Sequence, residues 1–297
     1  MRNNFYKFLI FFFLVCNTSF ADQFVFETSK VEILDEGNLI IAGEGKAKSI
    51  DNNLVIDAVK FEYRKDQKII KAYEGVAFFK KNNLEIKFGE LTSNQLSQIT
   101  TANYNVEIID LEKRLSIETS LVELNKKKNI LKSSTPSILK DKFNNILRTK
   151  IFHYNLNDKI LKLQDAELKD IYNNDFNIQI AYLNTSTNEL LGKDIEGNLN
   201  NETFNKDNQP RIKGRSIEYN KDQTKISKGV FTTCRKNDKC PPWQLAAERI
   251  LHDPKKKVIN YENAFLKVYD VPVMYFPKIF SSRSNSKKKI GFFSAYD

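Results

Sequence analysis

The 297-residue sequence has a formal net charge of +10, with 28% charged and 41% hydrophobic residues. Its mean hydropathy of −0.48 excludes a polytopic helical membrane protein, which needs several apolar runs of about 20 residues. Ten Gly and seven Pro exclude a collagen-like chain, and an aromatic content of 12% argues against full disorder. The composition is that of a chain that folds.

Residues 1–21 have the layout of a cleaved secretory signal peptide. A short basic start is followed by an uninterrupted apolar run over 8–15 and by Ser-Phe-Ala at 19–21. The apolar run is too short to span a bilayer as a helix. A buried N-terminal strand and lipid attachment at Cys16 are the alternatives. We expect an exported protein, so nucleic acid is not an expected partner despite a sequence pI of about 9.2.

The chain from 59 to 230 repeats. Arg64, Asn94, Asn125, Asn155, Asn184 and Asn220 mark equivalent turns, about 30 residues apart. Each unit alternates apolar and polar residues, breaks in an Asn/Asp/Lys cluster and then resumes with β-branched and aromatic residues. This pattern predicts an all-β protein built of stacked antiparallel strands with one apolar and one lysine-rich face. An ordinary β-sandwich with an accidental period is the alternative.

The strand alternation predicts which side chains share the apolar face. Lys60, Glu62 and Arg64 have the opposite parity and are expected on the wet face. The residues expected on the apolar face are Val59, Phe61, Tyr63, Ile70, Ala72, Val76, Phe78, Phe152, Tyr154 and Leu156.

Two cysteines remain after the signal peptide. Cys234 and Cys240 lie close together, and in an oxidising compartment this spacing predicts a local disulfide that closes a polar loop. Pairing with another chain or with cysteines of a missing segment is the alternative. A zinc site would need about four ligands, and neither His153 nor His252 lies at ligand spacing, so no metal and no cofactor is expected.

The sequence changes character after Gly229. A Pro-x-Trp segment is followed by an Ile-x-x-Asp turn, an Asn-Ala-x-Leu strand and a Val-Pro-Val-x-Tyr-x-Pro motif. The residues that carry these motifs are Pro241, Trp243, Ala247, Asp253, Asn263, Ala264, Pro272, Tyr275 and Pro277.

This order of motifs resembles the LptD family of lipopolysaccharide (LPS) assembly outer-membrane proteins, also called the organic-solvent-tolerance family. The upstream repeats are similar to the domains of the LptA and LptC type. The resemblance implies an elongated β-jellyroll, open along one side, over 22–277. Residues 278–297 would begin an outer-membrane β-barrel, and at 20 residues they are too few to close one, so a truncated barrel is expected.

The resemblance also implies a function without covalent chemistry. The apolar-face residues would line a groove that binds LPS acyl chains and passes them to the barrel. The implied partners are LPS, an LptE-like outer-membrane lipoprotein plug and an LptA-like periplasmic bridge, and the implied location is the outer membrane with this portion in the periplasm. No nucleophile motif, phosphate loop or metal cluster suggests an enzyme. A structural or adhesive β-repeat protein is the main alternative, and a carbohydrate-active enzyme is a second one.

Overall fold

A computed structural model describes residues 24–112, 115–141, 145–169, 174–199, 209–220, 222–234, 241–253, 256, 258–282 and 290–292. The signal-peptide prediction for 1–21 lies outside these residues. The described residues form 22 β-strands and two single 3₁₀ turns, Asp35–Gly37 and Lys80–Asn82, so the predicted all-β class is confirmed. The strands are β1 Phe24–Thr28, β2 Val31–Leu34, β3 Leu39–Ala42, β4 Gly45–Ser49, β5 Leu54–Arg64, β6 Ile69–Phe79, β7 Leu84–Asn94, β8 Ile99–Asp110, β9 Leu115–Asn125, β10 Ile130–Ser133, β11 Ser137–Lys140, β12 Ile146–Thr149, β13 Ile151–Asn155, β14 Ile160–Lys169, β15 Asp175–Asn184, β16 Glu189–Asn198, β17 Arg211–Tyr219, β18 Thr224–Thr232, β19 Trp243–Asp253, β20 Val258–Val268, β21 Val271–Ser282 and β22 Ile290–Phe292.

All of these strands belong to one antiparallel sheet, in which each strand from β5 to β8 and from β14 to β21 pairs with the next along the chain. Four positions of the ladder are filled by two short strands in tandem. For example, β3 and β4 together pair with the full length of β5. The predicted 30-residue period therefore corresponds to two strands and two turns. β21 crosses the predicted boundary at 277/278 and pairs with β20 on both sides of it.

Asparagine and aspartate form many of the turns between strands, as their side chains favour local hydrogen bonds to the backbone. Asn94 Oδ1, for example, accepts hydrogen bonds from the backbone N–H groups of Leu96 and Ser97, at 2.8 and 3.0 Å. In two further turns on the same side of the sheet, Asn184 and Asn220 likewise accept hydrogen bonds from the backbone N–H groups two and three residues later. These residues were markers of the sequence repeat, so the repeat marks one row of turns.

The strands bend near their midpoints. Glu74, Tyr104, Asp165, Asp194, Lys228 and Asn263 have left-handed backbone conformations with φ of 48–61°, and they are 29–35 residues apart except for a step of 61 from Tyr104 to Asp165. At the same level the ladder skips a pair. Tyr73 pairs with Lys60 and Gly75 pairs with Ala58, while Val59 and Glu74 between them are skipped by the ladder of β5 and β6. The bend column divides each strand into two halves.

The bends fold the sheet so that its two rows of turns face each other. Phe24 lies level with the start of β5, because Val25 pairs with Lys48 and Lys48 with Val55. Tyr63 lies near the end of β5, about 30 Å away along a flat strand at about 3.3 Å per residue. The rings of Phe24 and Tyr63 are nevertheless 5.5 Å apart between centroids. We call the line where the two turn rows meet the seam.

Candidate functional site: an apolar interior closed along a seam

The interior of the folded sheet is apolar. Ring contacts join its two halves near the first strands, where Phe26 lies 5.9 Å from Phe61 between centroids in an edge-on arrangement. Phe61 is 0% exposed, and Leu84, Leu91 and Leu124 are also fully buried. Burial of this many aliphatic and aromatic side chains along one face is the main source of stability in a sheet protein.

The outer face is charged, and its lysines pair with carboxylates on neighbouring strands. Lys87 Nζ lies 2.8 Å from Glu107 Oε2, and Lys213 Nζ lies 2.6 Å from Glu196 Oε1. Both pairs are substantially exposed, so each contributes little to stability. These lysines form a solvated face.

Three of the residues predicted on the apolar face do not point into the interior. Val59 lies at the bend and is 54% exposed, whereas Val76 and Phe78 are half-buried and their neighbours Ala77 and Phe79 point inward. The prediction of one continuous parity per strand was wrong at these positions, because the extra residue at each bend reverses the alternation. The other predicted residues are buried: Phe61, Tyr63, Ile70, Ala72, Phe152, Tyr154 and Leu156.

The interior is slightly more exposed at β17 and β18 than at β5 to β9, whereas Ile250 in β19 and Ala264 in β20 are again 3% and 0% exposed. Ile212, Ile217 and Ile226 are 6–8% exposed, whereas the aliphatic core residues of β5 to β9 are nearly all below 5%. Leu245 and Phe276, which also pack on the core, are only partly buried. The most C-terminal hairpin exposes large apolar side chains at Phe265, Val271, Val273, Met274 and Tyr275. Of these, Phe265 and Tyr275 pair with each other on the face opposite the buried Ala264 and the core-packed Phe276.

A buried polar contact closes the seam near the middle of the sheet. Tyr154 Oη lies 3.0 Å from Asp110 Oδ2 and 2.9 Å from Thr185 Oγ1. Burial is the largest cause of a raised pKa at Tyr154, and the nearby charge of Asp110 adds to it. The phenol is therefore held in its neutral form, in which it donates a hydrogen bond.

A second polar group on the inner side of the turns is Lys126. Its Nζ lies 3.4 Å from Ser93 Oγ and 3.4 Å from Gln95 Oε1. Burial lowers the pKa of Lys126, and Asp51 in the opposite row of turns partly offsets this effect. At Asp51, burial acts to raise the pKa. Hydrogen bonds from Ser49 and Asn53 and the charge of Lys126 outweigh burial, so the pKa of Asp51 is lowered.

The C-terminal motif residues lie on the adjacent strands β19, β20 and β21. Ala247 pairs directly with Ala264, and both are buried. Asn263 sits at the bend, where its Oδ1 accepts a 3.0 Å hydrogen bond from Tyr275 Oη and its amide donates to Glu248 at 2.9 Å. Asp253 ends β19, and Pro272 and Pro277 lie in β21. These motif residues therefore lie close together, on three adjacent strands of the sheet.

Of the two cysteines in the predicted disulfide, the structure describes Cys234. Cys234 is a free, half-buried cysteine whose Sγ lies 3.5 Å from the backbone oxygen of Trp243. Cys240 lies outside the described residues, so the pairing stays a prediction. Trp243 itself packs edge-on against Phe231 with ring centroids 6.2 Å apart.

Within the described ranges, His, Cys, Asp and Glu side chains do not gather in groups of three or more that could hold a metal ion. Over the same ranges, no helix has the length and apolar character needed to cross a membrane.

No protein-family model and no curated protein matches the sequence.

Sequence reasoning missed Asp110, Thr185, Lys126 and Gln95. Each is a polar residue in or beside a turn, where polar residues are ordinary, so composition gave no reason to single it out. The bend column had a detectable signal, because Gly45, Gly75 and Gly89 recur at steps of 30 and 14 residues, close to the spacing of two strands and of one strand.

Proposed function

We propose that this protein binds the acyl chains of lipopolysaccharide in the interior of its folded sheet and passes them toward the outer membrane. In this proposal the sheet is an elongated β-jellyroll that opens along the seam, and residues 278–297 lead into the barrel portion. The single observation that carries the proposal is the contact of Phe24 with Tyr63, which makes the apolar face an enclosed interior rather than a flat surface.

The physical logic is transfer of hydrocarbon out of water. Each CH₂ group buried in an apolar interior contributes about 0.8 kcal/mol, so several acyl chains would be held strongly without any covalent step. The sugar and phosphate headgroup would stay outside the apolar interior, at the turns that border the seam. The greater exposure of Ile212, Ile217 and Ile226 supports entry and exit of chains in the C-terminal half.

The remaining parts of the proposal rest on the sequence resemblance. They are an LptE-like lipoprotein plug, an LptA-like periplasmic bridge and a location at the outer membrane facing the periplasm. No enzymatic step is proposed, because acyl-chain transfer along an apolar surface needs binding and release alone.

A structural β-repeat protein is a second candidate. The observation that favours it is the near-complete burial of the core between β5 and β9, where Ile56, Leu84 and Leu91 are 0% exposed. A core packed in this way holds no cargo unless the seam opens.

Site-specific photo-crosslinking in cells that export LPS separates the two candidates. The crosslinker is placed at neighbouring inner and outer positions, Ile217 and Glu218 in β17 and Phe61 and Lys60 in β5. The proposal predicts LPS adducts at Ile217 and Phe61 and none at Glu218 or Lys60. Equal labelling of both faces, or no labelling at the inner positions, would favour the structural candidate.

A further inference from the structure

Lys126 differs from the lysines of the outer face in what surrounds it. It follows β9 in the turn to β10, and its backbone N–H donates a 2.8 Å hydrogen bond to Gln98. Its side chain is half-buried, whereas those of the next two residues, Lys127 and Lys128, are exposed. On the outer face, by contrast, Lys225 Nζ lies 2.9 Å from a carboxylate oxygen of Glu218.

Hydrogen-bond donors outnumber acceptors around this ammonium group. Among the described contacts, Nζ reaches two acceptors, Ser93 Oγ and Gln95 Oε1, both at the long distance of 3.4 Å and both uncharged. An ammonium group has three N–H donors. Ser93 Oγ also shares a 2.8 Å hydrogen bond with Thr100 Oγ1. The site therefore has spare donor capacity on a positive charge.

Gln95 adds an independent observation. Its Nε2 is buried and has no hydrogen-bond partner among the described residues. An unsatisfied buried donor is costly, and native structures contain few of them. Gln95 lies in the turn between β7 and β8, so its amide and the Lys126 ammonium come from two successive turns of the same row.

The geometry points to a binding site for a phosphoryl group, formed by Lys126, Gln95 and Ser93 on the inner side of the turn row. A phosphoryl group carries negative charge and several acceptor oxygens, which match an ammonium group and an amide donor that both have unused N–H groups. Asp51, on the facing row, opposes an anion and limits the site to a ligand that approaches from the side of Lys126.

The lipid source of the phosphoryl group rests on the proposed function. An amphiphile with its acyl chains in the interior would hold its headgroup at the turns that border the seam, where Lys126 lies. Free phosphate has the same chemistry, so the two sources must be distinguished by experiment.

The test compares three forms of the full chain: the unchanged protein, Lys126→Met and Lys128→Met. The two substitutions remove the same charge, two residues apart, from a half-buried and an exposed position. Gln95→Met is a further variant that removes the unsatisfied amide. The ligands are inorganic phosphate alone, diphosphorylated lipid A in micelles and the same lipid A after enzymatic removal of its phosphates. Circular dichroism establishes that each variant is folded.

We expect the unchanged protein and Lys128→Met to bind the phosphorylated lipid about tenfold more tightly than the dephosphorylated one, the effect of about one charge-assisted hydrogen bond. Lys126→Met and Gln95→Met should lose most of this preference. Inorganic phosphate binding with the same variant profile would identify free phosphate as a ligand. Retention of the preference by Lys126→Met, equal loss in Lys128→Met or no preference in the unchanged protein would overturn the proposal. Phosphate-dependent binding without acyl-chain crosslinks at Ile217 would leave this site standing while the proposed function fails.

Discussion

Tyr154 donates a 3.0 Å hydrogen bond to Asp110, although the two residues lie beside opposite rows of turns in the sheet. Asp110 pairs with Leu115 at the start of β9, whereas Tyr154 lies level with Leu124 near the end of β9 through Leu131. The bond is therefore possible only because the sheet is folded at its bends. With 1% and 2% exposure, the two residues close the seam in a dry environment.

Loss of the Tyr154 hydroxyl should weaken the folded state. We expect Tyr154→Phe to lower the free energy of unfolding by about 1–3 kcal/mol, because Asp110 loses a buried donor. Urea denaturation measures this change. Tyr104→Phe removes a hydroxyl from a side chain that is 67% exposed and should change stability by less than about 0.5 kcal/mol. Equal effects of the two substitutions would contradict a closed seam.

The same tyrosine predicts a loss of stability in alkali. Its folded-state pKa is raised above the ordinary value of 10.0, so the folded protein holds this proton more tightly than the unfolded chain does. The contribution is fully present below about pH 10 and declines as the pH rises above that value. Denaturation midpoints measured from pH 8 to pH 11 should fall more steeply for the unchanged protein than for Tyr154→Phe. Parallel curves would show that the phenol is not held neutral by the fold.

The reversal of side-chain parity at the bend predicts opposite outcomes for two nearby substitutions. Phe61→Lys places a charge in the fully buried interior and should cost about 3–5 kcal/mol or prevent folding. Val59→Lys introduces the same charged side chain at a position that is 54% exposed and should cost less than about 1 kcal/mol. Thermal denaturation compares the two. A destabilising Val59→Lys would mean that the original parity continues through the bend.

The bend itself is tested at Gly75. A Cβ atom at this position would lie 2.2 Å from the backbone oxygen of Asp57, so Gly75→Ala must displace the facing strand. We expect a loss of roughly 2 kcal/mol or more. At the neighbouring Glu74, where φ is 50°, replacement by Gly relieves an unfavourable conformation and should change stability by less than about 1 kcal/mol. A harmless Gly75→Ala would argue against the close approach of the strands.

The sequence predicted the strand class because alternation with period two directly reflects which side chains are buried. It predicted the inner position of Phe61, Tyr63, Phe152 and Tyr154, which lie in uninterrupted alternating stretches. It failed at Val76 and Phe78 because the extra residue at Glu74 reverses the faces, and because the stretch from Val76 to Phe79 is apolar at every position. The seam contacts could not be predicted from the sequence. The contact of Asp110 with Tyr154 depends on the folding of the sheet at its bends, which no local sequence pattern encodes.

Trp243 is the sole tryptophan of the chain and provides the most direct test of the central claim, that acyl chains occupy the interior. Its half-buried side chain lies on the inner face of β19, the same face as Leu245 and Ala247. The measurement is Trp243 fluorescence during titration with lipid A that carries bromine atoms on its acyl chains, beside unbrominated lipid A as the control. Heavy-atom quenching by the brominated lipid alone, reversed by excess unbrominated lipid, is the result we predict. Unchanged fluorescence while the brominated lipid binds to the protein would contradict an acyl-chain site in the interior.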